Sequence, residues 1–194
     1  MGFEVIDGGR VRALKDEHQR QLDTVVPLVV VCGPKRCEDG NCGVCDVELK
    51  SRCMYIQRDQ IKRRLNEENC IATTFEEDFE LDIASIEEKI VLRREEVDLV
   101  FIIPDSEGSA AELGIFSVDP LIRPKLRILV PHQYHPLYSG GDSFLSSLYL
   151  ELMSVHGHIY PVDPLREFHP DGMTVASAMM RSYRLNVVAG LLCG

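Results

Sequence analysis

Five apolar runs alternate with amphipathic or charged segments along the chain. The run TVVPLVVVCG, starting at residue 24, is continuously apolar and rich in β-branched residues, as a strand buried on both faces should be, and it stops at the turn signal Gly33-Pro34. Residues 55–68, YIQRDQIKRRLNEE, set Ile56, Ile61 and Leu65 at helical spacing among charges, which predicts an amphipathic helix. Residues 70–75 read as a short strand, followed by the acidic loop EEDFELD. A second helix is expected over residues 83–96, with Ile83, Ile86 and Ile90 as its apolar stripe and Val97 extending it. Residues 97–103, VDLVFII, form the third strand, which breaks into PDSEGSAAELG and a helix reaching about Ser117. LRILV at residues 126–130, a helix over 143–155, a short strand over 158–162 and a small-residue helix over 173–192 complete the series. The first 21 residues are polar and turn-rich and read as an arm or a short lead-in element.

Strand and helix alternating five times predict an α/β fold with helices on both faces of a parallel sheet. A flavodoxin-like (Rossmann-like) five-stranded order, 2-1-3-4-5, is the expected arrangement, giving an arm at residues 1–23 and one domain over 24–194 with a cysteine-rich insertion at 34–53. Ligands of such sheets bind beyond the carboxyl ends of the strands where the order reverses. That point lies between strands one and three, so Cys32-Gly33-Pro34 and the PDSEGSAAELG turn should stand side by side.

Composition narrows the chemistry. With 194 residues, 45% of them hydrophobic, the chain can bury its own core. A formal net charge of −10 argues against a phosphate-backbone footprint, and the basic cluster Arg58, Lys62, Arg63, Arg64 reads as a solvated helix face offset by nearby acids. No run is long enough for a membrane span and no leader pattern opens the sequence, so a cytoplasmic protein without bulk nucleic acid or membrane as partner is expected. Cys32, Cys37, Cys42, Cys45 and Cys53 crowd into one stretch, where a reducing compartment disfavours disulfides. The Cys42-x2-Cys45 step, with Cys37 and Cys53 as outer ligands, suits a structural zinc; free thiols or a redox pair are the other readings. His132 and His135 follow strand four on the crevice side, where one could bind phosphate or protonate a leaving group; loop solvation is the alternative.

The turn itself joins a close-approach Gly108, a small Ser109 and a helix start that favours anionic or hydroxyl-rich groups, with Glu112 as the acid it presents. An acid that merely complements the helix dipole would look the same. VVVCGP, RDQIKRRLNEENCIATTFEED, VDLVFIIPDSEGSAAELG and KLRILVP, in this order, resemble the nucleoside 2-deoxyribosyltransferase superfamily and its nucleotide N-glycosidase relatives over residues 25–131. The cysteine insertion departs from that pattern. TIR-like NAD-cleaving domains and phosphoribohydrolases with a Gly-x-Gly-Thr-x-x-Glu turn are similar at the same glutamate.

The resemblance implies cleavage or transfer of the bond between a sugar C1′ and a base nitrogen in a nucleoside, nucleotide or NAD-like substrate. Glu112 matches the nucleophile, and no cofactor is needed for catalysis. A second acid is implied on the helix before strand three, where Glu88 and then Asp82 are the choices and surface charge is the competing reading; Asp105, at the end of strand three, faces the same crevice. Cys32, Gly33, Pro34, Gly108, Ser109 and His132 would line the substrate site, with Tyr55 stacking on the base as an aromatic does in the family. The resemblance also implies a homo-oligomer. Against these stands a different class: a non-catalytic module that senses a nucleotide in a defence or signalling complex.

Overall fold

In the computed structural model the described residues are 8–34, 53–79, 84–139 and 144–192. They form two compact units, one of Pro27–Ser177 and one from the described parts of Met1–Val26 and Ala178–Gly194.

The larger unit is built on five parallel strands, β1 (Leu28–Cys32), β2 (Ile71–Thr73), β3 (Leu99–Ile102), β4 (Leu126–Pro131) and β5 (Ile159–Val162), in the order β2-β1-β3-β4-β5. This is the expected α/β arrangement and strand order. Register runs Val30 to Thr73 on one side of β1 and Cys32 to Ile102 on the other. Asp98 ties the first strands together, because its carboxylate accepts from Leu28 N–H at 2.8 Å while its own N–H donates to Leu28 O.

Alternation along the strands sends Val30, Cys32, Val100, Ile102, Ile128 and Val130 into one cluster, which helices α4 (Ala84–Leu92), α5 (Glu107–Ser117) and α7 (Phe144–Val155) cover through Leu92, Leu113, Phe116, Tyr149 and Leu152. Helix α2 (Met54–Glu67) brings fully buried Ile61 and Leu65 and touches β1 and β2. It is locked to β2 by Asn66, whose side-chain amide donates to Ala72 O and whose carbonyl accepts from Ala72 N–H. Burying such rows of branched side chains is the main stabilising term of the sheet.

Three sequence expectations are corrected. The acidic loop begins as a helical turn, α3 (Phe75–Asp78). The stripe expected on α4 is turned outward: Ile86 and Ile90 are each 56% exposed, while Glu88 and Leu92 are buried. The helix docks through Leu92 and Val91, and that phase carries Glu88 inward. Finally, Arg58 does not belong to a solvated face; it is buried on α2. Lys62 is largely covered and pairs with Glu77, whereas Arg63 and Arg64 are solvated and pair with acids on their own helix.

In the smaller unit, the stretch read as an arm is helix α1 (Gly8–Asp23), exposed over most of its length and closed by Thr24, which donates to Gln21 O. Arg184, on α8 (Gly172–Leu192), donates to Val25 O at 3.1 Å. Among the described residues no helix is long and apolar enough to cross a membrane.

Candidate functional site

The end of β1 is touched by Arg58 of α2, which carries Glu76 of α3 with it, and feels the charge of two further helices. Cys32 is 4% exposed, and its thiol is held well above its ordinary value by burial first and then by the charges of Glu112, Glu88 and Glu76, with Arg58 acting in the opposite sense. Carboxylates on α5, α4 and α3 thus act on Cys32 through their charge, while the Arg58 guanidinium on α2 reaches the same strand end by a hydrogen bond to Gly33 O. Glu112 and Glu88, both expected from the sequence to act in the site, lie on different helices and both act on Cys32 through their charge.

Gly33 allows the close approach of Arg58: a Cβ there would lie 3.2 Å from Ile103 Cβ and 3.3 Å from Arg58 Cδ, so a larger residue would push the Arg58 side chain away. The Arg58 guanidinium donates to Gly33 O at 3.2 Å and to Glu76 at 3.0 Å, and it lies over the Tyr55 ring at 5.4 Å. Its Nε and the Thr74 hydroxyl are buried with no hydrogen-bond partner among the described residues. Tyr55, half-buried, thus reaches the site through Arg58, while Pro34 follows Gly33 half-buried. Sequence reasoning missed Arg58 and Glu76. The signal for Arg58 was present: it sits three residues before Ile61 and seven before Leu65, on the apolar stripe where a charge needs a reason.

The turn after β3 is held by a reciprocal cap. Ser106 Oγ accepts from Ser109 N–H and Ser109 Oγ accepts from Ser106 N–H. Ser109 is 2% exposed, so its hydroxyl and amide are both used inside the helix start. A Cβ on Gly108 would meet only Ser106 Oγ, at 4.0 Å, and the backbone is open there.

Asp105 stands elsewhere. It borders a cavity of about 550 Å³ enclosed between the β3–α5 turn, the segment after β4 and α7, with Glu107, Ala110, Gln133, Tyr134 and Tyr149 also on its wall. Surrounding walls desolvate its carboxyl and push the pKa up, even though the residue keeps solvent contact. Ala110 and Glu112 are separated by about 200° around the helix at ~100° per residue, so the cavity and the Glu112 cluster occupy different flanks of α5.

His132 follows β4 and stacks with Phe168 at 5.1 Å and Tyr138 at 5.3 Å, tilted against His169 at 4.7 Å. His135 beside it is 1% exposed, and burial, then His169 and His132, lower its pKa.

Asp82, Cys37, Cys42 and Cys45 lie outside the described residues. Cys53 is buried at the N-cap of α2. Among the described residues, no group of three or more His, Cys, Asp or Glu is placed to hold a metal ion.

No curated protein matches the chain. A family model described as STM3845 retron effector protein matches residues 52–155, more than half of the sequence. The matched stretch runs from the start of α2 to the end of α7 and contains Tyr55, Arg58, Glu76, Glu88 and Glu112. The chain belongs to the STM3845 retron effector protein family.

Proposed function

We propose that this effector-family protein breaks the N-glycosidic bond of a nucleoside, nucleotide or NAD-like substrate, with Glu112 acting at C1′. What supports the reading is the position of Glu112 on α5, directly after the turn that follows β3, together with the charge that Glu112, Glu88 and Glu76 exert on Cys32 at the end of β1. Rupture of a glycosidic bond places positive charge on the sugar, and carboxylates at that carbon lower the barrier by charge complementarity or by covalent capture. Glu112 forms the bond to C1′ as the bond to the base breaks. Glu88, from the facing helix, passes a proton to the leaving base nitrogen, and water or a second base then releases the sugar. Arg58 and Tyr55 hold the strand end in shape beneath the sugar.

The test is release of free base from a panel of nucleosides, nucleotides and NAD by purified protein. Glu112→Gln should lower release at least a hundredfold with melting temperature unchanged, and Glu88→Gln should slow it most for substrates whose base is a poor leaving group. Full activity in Glu112→Gln would remove the nucleophile. Tight binding of a nucleotide with no base release would leave the sensing role in a defence complex as the function of this crevice.

A further inference from the structure

We infer that the cavity between α5 and α7 is a second small-molecule site, separate from the Glu112 crevice, and that it takes a phosphate-free nucleobase or nucleoside whose ring carries amino donors. The proposal does not depend on the glycosidic reading. Its volume of about 550 Å³ falls within the range of small-ligand pockets, and it lies beyond the carboxyl ends of β3 and β4, beside the switch point between β1 and β3.

The walls specify the ligand. Leu145 and the rings of Tyr134 and Tyr149 supply flat apolar surface, suited to stacking or edge contact with an aromatic ring. Tyr134 is 51% exposed and Tyr149 1%, so one ring forms the mouth and the other the floor. The polar residues on the described wall are Asp105, Glu107, Gln133, Ser106 and Ser146, with the phenols of Tyr134 and Tyr149, and the Ser106 hydroxyl is already engaged in the cap of α5. No lysine, arginine or histidine is among the described residues that line it. The two carboxylates, with no cation among the described lining residues, accept hydrogen bonds from ring or exocyclic N–H groups and disfavour a phosphate. Asp105 is the group best placed to gain, because a desolvated carboxylate is strengthened by each donor it finds.

Separation from Glu112 follows from α5 itself. Glu107 and Ala110 line the cavity, whereas Glu112, about 200° from Ala110 around the helix, is not among the described residues of its wall.

Calorimetric titration of wild type and Glu112→Gln with adenosine and with adenosine 5′-monophosphate tests the proposal. Adenosine should bind both proteins saturably and with equal affinity in a phase that Leu145→Trp, which fills the cavity, weakens at least tenfold. Tyr134→Ala, a change at an exposed position that the fold tolerates, should weaken the same phase. The monophosphate should bind that phase at least tenfold less tightly. The proposal is overturned if adenosine shows no phase sensitive to Leu145→Trp and Tyr134→Ala, if that phase vanishes in Glu112→Gln, or if the monophosphate binds it as tightly. Base release failing in the panel above would leave this titration unchanged, so the two readings fail separately.

Discussion

At the scale of single residues, Cys32 shows how a group can sit at a candidate site without taking part as a nucleophile. Its thiol is buried and faced by three carboxylates, so the thiolate is disfavoured by desolvation and by like charge. Iodoacetamide near neutral pH should leave Cys32 unlabelled in the folded protein and label it after denaturation, as read by peptide mass spectrometry; rapid labelling in the fold would contradict the arrangement. A raised thiol pKa also means that the neutral form is favoured on folding. Its contribution is present below the ordinary value of 9.0 and is lost as pH rises above it. Gly108 offers a second check. Alanine there meets open space and improves helix propensity by up to ~1 kcal/mol, so Gly108→Ala should melt no lower than wild type. Base release should nevertheless fall, because the added methyl stands over the amides at the helix start; unchanged turnover would show that substrate does not approach that backbone.

Elements place these residues, and α4 is the instructive one. Its sequence carries isoleucines at 86 and 90 and a second apolar pair at 91 and 92, so two helical phases compete. The phase taken buries Leu92 and with it Glu88, leaving Ile86 and Ile90 to solvent. What fixes α4 against α5 is Asp119, 2% exposed, which accepts from Arg93 Nε at 2.9 Å and from Leu121 N–H at 3.1 Å and pairs with Lys89 at 3.2 Å. The Arg93 hydrogen bond, working against burial and helped by Leu121 and Lys89, holds its carboxyl down at about 2. Asp119→Asn should cost about 1–3 kcal/mol in urea unfolding at neutral pH. A depressed carboxyl pKa contributes above its ordinary value of 3.8 and loses that contribution as pH falls towards 2, so the gap between wild type and variant should narrow across that window. A gap that stays constant with pH would mean that the charge of Asp119 is not what matters.

Over the whole molecule, the alternation of apolar runs determined by itself that the chain forms a parallel five-stranded sheet, because strand period, turn residues and crossover lengths are local properties. It also pointed to Glu112 and to the strand end at Cys32-Gly33, since the fold class dictates where strand ends meet. The helical state of residues 8–23 was passed over because its large apolar residues, Val11, Leu14 and Leu22, are few among the charges, although they lie at helical spacing. Nor could periodicity tell that Glu88 is buried, that Arg58 pairs with Glu76, or that Asp105 lines a cavity beside α5. Those outcomes depend on the phase in which each helix docks and on which side chains the sheet order brings within reach. Helix phase is decided by packing many residues at once, so only the tertiary structure determines which charges face one another.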